Sequence, residues 1–225
     1  MESLLSRHPW MPYVVPFAAF LGMLLLGPLL PLSPAVEGIV RVTVLAWVTW
    51  LFARPVLSLR MTRPVATIGL GIVVFVLWIA PDQLFPGYRD SILFQNSITG
   101  QVASSMSIEA RNDVIALICR FARATLIVPI VEELFWRGWL VRWIDDPEDF
   151  RNRPLGRFTQ FSFLSVAVVF AVQHGAYWDV GLLTGFIYNW WMIRTKSLGD
   201  LIWCHGVTNG CLSIWVLATG QWQYW

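Results

Sequence analysis

Val128-Pro-Ile-Val-Glu-Glu-Leu-Phe-Trp-Arg-Gly-Trp-Leu140 decides how the rest of the chain is read. It lies inside an apolar run from about Asp113 to Ile144, which reads as a membrane-spanning helix. Within it, Glu132, Glu133 and Arg137 place three ionisable groups in six residues. Each costs roughly 2.5–3.5 kcal/mol at the bilayer centre even on the lenient insertion scale, so each needs a partner and a reason. Glu133 and Arg137 are i and i+4 and are expected to pair. Glu132 points about 100° away from Glu133 on a regular helix and has no partner in its own turn. It reads as the working carboxylate, with Glu133 and Arg137 as support. Pro129 removes a main-chain hydrogen bond and is expected to kink the helix just before the glutamates.

Composition supports the membrane reading. Of 225 residues, 56% are hydrophobic and 13% charged, whereas a soluble domain carries about 25% charged residues. Fourteen Trp and fourteen Phe suit aromatic belts at two interfaces. A net charge of +2 gives no case for nucleic acid. Cys119, Cys204 and Cys211 fall in apolar stretches without a CxxC motif and read as buried thiols. The N-terminal residues lack a signal-peptide cleavage site, so the first apolar run is expected to be a retained span.

The expected fold is all-α, a polytopic transmembrane bundle of about seven spans, with eight as the alternative. The spans run about Pro12–Leu32, Val36–Phe52, Val65–Ala80, Asp113–Ile144, Phe158–Ala176, Val180–Ile193 and Leu198–Ala218. Glu37 and Arg41 form an i,i+4 pair in the second. The polar segment from Pro81 to Arg111 reads as an exposed loop with a short surface helix. Residues 1–110 are expected to form an N-terminal unit of unknown role, and 111–225 the functional helical core. Arg7, Arg54, Arg60, Arg63, Arg142, Arg151, Arg153, Arg157, Arg194 and Lys196 collect on one side of such a bundle. Arg89 and Arg111 fall on the other. The positive-inside rule then puts the N-terminus in the cytoplasm and the C-terminus outside. Arg120 and Arg123 share a face of the fourth span, which must project beyond the lipid or face a wet cavity there.

Other polar residues interrupt apolar helices. His174 follows Phe170 by four in the fifth span, with Gln173 beside it. His205 and Asn209 are four apart on one face of the seventh. A carboxylate in a low-dielectric site can act as general base towards water. An imidazole can orient that water, and an imidazole with a side-chain amide can donate to a developing oxyanion. The residue types therefore suit hydrolysis in a cavity among spans four to seven, since lipid supplies no water. Trp136, Trp139 and Trp143 form a stripe at helical spacing, read as lipid or interface packing. Cys204 beside His205 does not read as a nucleophile, because adjacent helical residues diverge by about 100°.

Glu132-Glu133-x-x-x-Arg137, Phe170-x-x-x-His174 and His205-x-x-x-Asn209 together resemble the three-motif signature of the CAAX prenyl protease and bacteriocin-processing (CPBP) family. Its members are intramembrane glutamic-type proteases related to type II CAAX proteases. The resemblance covers about Leu126 to Leu217. The context of Val128 to Glu133 further resembles a CAAX protease-related branch found alongside exosortase sorting systems. The resemblance implies that Glu132 activates the attacking water and His174 binds it. It also implies that His205 and Asn209 stabilise the oxyanion while Glu133 and Arg137 brace the site. The implied activity is endoproteolysis of a membrane-associated protein or peptide, without a cofactor, in a multi-pass protein of a bacterial inner membrane.

Competing readings stay open at this level. Two Glu and two His could hold zinc in an open site, although no helical HExxH occurs. The family also includes self-immunity and scaffold proteins, so a non-catalytic, partner-binding protein is a second reading. A transporter, with polar residues lining a pathway, is a third. One conflict concerns depth. Counted from the basic loops, His205 is near the cytoplasmic end of its span and His174 near the opposite end of its own. Catalysis requires that they meet.

Overall fold

The computed structural model describes residues 2–225. The chain is all helix apart from loops and one isolated bridge, Asn96 to Gly100. The helices are α1 (Glu2–Arg7), α2 (Met11–Leu26), α3 (Pro34–Ala53), α4 (Pro64–Leu84), α5 (Ile108–Arg111), α6 (Val114–Asp145), α7 (Gln160–Val172), α8 (Trp178–Thr195) and α9 (Leu198–Thr219). Each of the seven expected stretches contains one of these helices, with α2 ending at Leu26 rather than Leu32 and α7 at Val172 rather than Ala176. Among the described residues α3, α4, α6 and α9 are long and apolar enough to cross a membrane. α2 and α7 are shorter apolar helices.

The sequence marks the helix ends. Pro34 and Pro64 open α3 and α4, where a missing N–H removes no helical bond. Asp113, Thr159 and Ser197 accept the main-chain N–H of Ala116, Ser162 and Asp200 as N-caps. Gly220, at φ 71°, closes α9. The outward faces carry exposed Leu25, Trp47, Val65 and Val172. Such surface is tolerated where lipid replaces water.

Small residues let the helices approach. A Cβ built on Gly71 of α4 would lie 2.6 Å from the Cys204 carbonyl of α9. One on Gly206 of α9 would lie 2.9 Å from the Thr125 carbonyl of α6. Small-residue contacts of this kind substitute in lipid for the missing hydrophobic drive. At the start of α9, Asp200 is fully buried and takes four hydrogen bonds from the segment that opens α4. Thr62 N donates at 2.6 Å, Thr62 Oγ1 at 2.9 Å, Arg63 N at 2.9 Å and Thr67 Oγ1 at 2.7 Å. One carboxylate thus ties the segment leading into α4 to the start of α9.

α6 departs from a regular helix. Arg123–Ile127 and Leu134–Leu140 are wide π-turns flanking the glutamates. Each admits one extra residue, a feature that recurs at functional sites. The second changes the Trp stripe: Trp136 packs in the core against Phe17 and Phe170, whereas Trp143 is exposed. The expectation of one outward stripe fails because an extra residue rotates the helix between them. The cysteines also differ from expectation: Cys204 is buried, but Cys119 and Cys211 are only half-buried.

The segment from Pro81 to Arg111 is more than an exposed loop. α4 runs through Pro81 to Leu84. Arg89, expected as a loop charge, is buried and holds Asp82 at 2.9 Å, Asp179 at 2.8 Å and the Ala176 carbonyl at 2.7 Å. Its guanidinium also lies 4.2 Å from the Tyr177 ring centroid. These contacts fold the segment back over the bundle.

Candidate active site

The two motif glutamates face different neighbours, as their offset on α6 requires. Glu133 pairs with Arg137 at 3.1 Å, and both are fully buried. Asn189 of α8 accepts from Arg137 Nε at 2.9 Å and donates to the Phe163 carbonyl at 2.9 Å. Arg137 also lies 4.5 Å from the Phe170 ring centroid. The cation is thereby tied to α7 and α8 as well as to its own helix.

Glu133 has a second partner. Its Oε1 accepts from His205 Nδ1 at 2.8 Å. A carboxylate only accepts, so Nδ1 carries a proton. The Nε2 of His205 then donates only when the ring holds both protons.

Glu132 faces a cavity of about 530 Å³. Its Oε1 accepts from Gln173 Nε2 at 2.9 Å. Its Oε2 is buried and has no hydrogen-bond partner among the described residues. Buried carboxylate oxygens are rarely left so, and each one calls for an explanation.

His174 is not within a helix as expected. α7 ends at Val172, and His174 occupies the turn after it at φ −90°, ψ 3°. The next residue explains the turn: Gly175 has φ 56°, and a Cβ there would lie 2.8 Å from the Thr99 carbonyl. His174 Nδ1 lies 2.7 Å from the Phe170 carbonyl, which only accepts. This bond fixes the tautomer, and the neutral ring presents Nε2 as an acceptor. Trp78 of α4 packs edge-on to the imidazole at 5.2 Å.

Asn209 donates to the Ala124 carbonyl at 2.9 Å. The wide turn is the reason. Val128 N–H bonds the Arg123 carbonyl, and the next residue, Pro129, has no N–H to offer. Ala124 is left without a main-chain donor, and Asn209 supplies one. One amide hydrogen of Asn209 remains.

Glu132, His174, His205 and Asn209 all line the one cavity. The conflict of depth between the histidines does not arise, because α7 has only 13 residues and the turn after it leaves His174 on the same cavity as His205. The cavity draws more widely on the chain than spans four to seven. Phe20 and Leu24 of α2, Trp78 of α4, Thr99–Gln101 and Gln223–Trp225 also line it. Arg120 and Arg123 face it too, which favours the wet-cavity expectation for that end of α6. Sequence reasoning missed Asn189, Tyr188, whose ring lies 5.3 Å from that of His205 on the cavity wall, and the Glu132 bond of Gln173. Gln173 offered a signal, as a lone amide beside His174 in an apolar run. Among the described residues, no group of three or more His, Cys, Asp or Glu side chains is gathered as a metal site would need.

Residues 114–211 match the family described as Type II CAAX prenyl endopeptidase Rce1-like. No curated protein and no solved structure matches the chain. The matched residues span all of the first two motifs and all of the third, from Glu132 to Asn209. Over residues 114–211 this membrane-embedded helical core is therefore similar to the Rce1-like type II CAAX prenyl endopeptidase family.

Proposed function

We propose that this protein is an intramembrane endopeptidase that cuts a membrane-associated protein or peptide by attack of a water activated on Glu132. The observation that carries the reading is the unpartnered Oε2 of Glu132, which shares a cavity with the acceptor nitrogen of His174. Two acceptors can hold one water by its two hydrogens and leave a lone pair for the scissile carbonyl.

In the attack, the water oxygen bonds to the carbonyl carbon and its proton passes to Glu132. The carbonyl oxygen takes up the electron pair as an oxyanion. The second amide hydrogen of Asn209 can donate to it, as can Nε2 of doubly protonated His205. Collapse of the tetrahedral species breaks the C–N bond, and Glu132 returns its proton to the leaving amine. Glu133 and Arg137 touch no reacting atom in this scheme. They hold His205 in one orientation.

No step requires a metal. Glu133 is already engaged by Arg137 and His205, which opposes its use as a ligand alongside Glu132.

The cavity wall comes from one side of the bundle. Thr99–Gln101, Gly175–Tyr177 and Gln223–Trp225 line it, whereas none of Arg60, Arg63, Arg151, Arg153 or Lys196 does. With the positive-inside rule, this favours access from the non-cytoplasmic side.

The test compares peptide termini in host membranes containing the wild-type protein or Glu132→Gln at equal abundance, mapped by mass spectrometry. Specific termini should vanish in the variant. If termini are unchanged while Glu132→Gln fully rescues a deletion strain, the protein acts by binding a partner and proteolysis is the wrong reading.

A further inference from the structure

Arg120 and Arg123 are cations that the proposed chemistry does not use. They stand on α6, twelve and nine residues before Glu132 respectively, and line the same cavity. Neither guanidinium makes a hydrogen bond or ion pair among the described residues. The nearby Glu37 is already paired with Arg41. Glu132 is the sole acidic residue among those lining the cavity. Arg120 lies 5.5 Å from the ring centroid of Trp225, whose Nε1 donates to Ser213 at 3.3 Å. The ring is thus fixed, and it orients the guanidinium above it. Intramembrane cations are by default candidates for function, and the one carboxylate that acts on both, Glu37, is shared with Arg41.

We infer that Arg120 and Arg123 form a subsite that reads a carboxylate on the peptide substrate, at a set distance from the bond to be cut. The inference rests on the peptidase reading for its geometry. At about 1.5 Å per residue, the two arginines lie roughly 13 and 18 Å along the helix from Glu132. An extended peptide covers about 3.3 Å per residue. The carboxylate therefore falls about four or five residues from the scissile bond. Two guanidiniums suit a carboxylate better than a single lysine would, since each offers a planar fork of donors. The carboxylate belongs to an Asp or Glu side chain or to a chain terminus.

The experiment uses the full-length protein in nanodiscs of neutral phosphatidylcholine, so that lipid charge does not compete. The probes are apolar twelve-residue peptides carrying one Glu at successive positions, each paired with its Gln counterpart. Each is made with a free and with an amidated C-terminus. Cleavage is mapped by mass spectrometry. Binding of the same peptides to Glu132→Gln protein is read by fluorescence anisotropy.

Glu four or five residues from the cut should raise kcat/KM about tenfold over Gln. Arg120→Gln/Arg123→Gln should bring that ratio to about one, and Arg120→Lys/Arg123→Lys should keep part of it. If only the free terminus matters, the terminal carboxylate is the ligand, and if only the side chain matters, an internal acidic residue is. Cleavage that ignores the position of Glu overturns the subsite and leaves the peptidase reading intact. Absence of cleavage with Arg-dependent binding of Glu peptides sinks the peptidase reading and keeps the subsite. Equal binding of Glu and Gln peptides overturns the subsite in either case, and dependence on added anionic lipid alone assigns the arginines to a lipid phosphate instead.

Discussion

His205 Nδ1 and Glu133 Oε1 lie 2.8 Å apart and join α9 to α6 at the centre of the bundle. The same carboxylate holds Arg137 at 3.1 Å. Removing it leaves a buried guanidinium unpaired. Glu133→Ala should therefore destabilise the protein by about 3–5 kcal/mol. Glu133→Gln keeps the shape and one acceptor, so it should fold better yet lose activity through a misoriented His205. Thermal unfolding in detergent, run beside the cleavage assay, separates the two. Equal stability of wild type and Glu133→Ala would remove the proposed bracing role.

Gln173 donates to Glu132 at 2.9 Å and steadies the carboxylate. Gln173→Leu should lower kcat roughly tenfold, the value of one hydrogen bond of about 1.4 kcal/mol. KM should change little, because the bond is made to the base and not to the substrate. Steady-state kinetics on a cleaved peptide checks this split.

Asn209 and Pro129 should be energetically coupled. Asn209→Ala leaves the part-buried Ala124 carbonyl without this donor, at a cost of about 1 kcal/mol. Pro129→Ala restores an N–H five residues after Ala124, the spacing of a wide turn. The double variant should recover about 1 kcal/mol relative to the sum of the single changes. Additive costs in a double-mutant cycle would refute this account of the wide turn.

Gly175 holds the turn that presents His174. Gly175→Ala meets both a φ of 56° and the Thr99 carbonyl at 2.8 Å. The backbone conformation alone costs roughly 1–2 kcal/mol with a Cβ. The variant should lose activity more than stability, as His174 leaves the cavity and the 99–101 loop lifts. Limited proteolysis within residues 96–105 should accelerate with it.

Orientation is open to chemical labelling. With the three native cysteines replaced by serine, Gln101→Cys should react with a membrane-impermeant maleimide on intact cells. Arg151→Cys should react only after the cells are opened. The reverse pattern would turn the cavity towards the cytoplasm.

The helices and the motifs were legible because both are local. Apolar runs set the helices, and a spacing of four placed Glu133 on Arg137. What was hidden is non-local. No pattern within α9 tells that His205 turns to Glu133, 72 residues earlier. Nor does the polarity of Pro81–Arg111 reveal that Arg89 is buried between Asp82 and Asp179, 90 residues apart from the latter. The wide turns escaped for a different reason: a reading based on 3.6 residues per turn assumes the regularity that they break. The outward Trp stripe failed on that account.

Those two wide turns also bear on how relatives of this helix are to be aligned. A wide turn holds one residue more than the α-helical turn it replaces, and losing it by a one-residue deletion rotates all that follows by about 100°. Glu132 and Glu133 stand between the two turns, so their mutual placement survives such a change at either end. Arg123 on one side and Arg142 on the other do not keep their bearing. A relative one residue shorter in 123–127 can retain both glutamates and still aim a different side chain into the cavity. Gaps placed there carry changes of specificity, while gaps between Glu132 and Arg137 would dismantle the site itself.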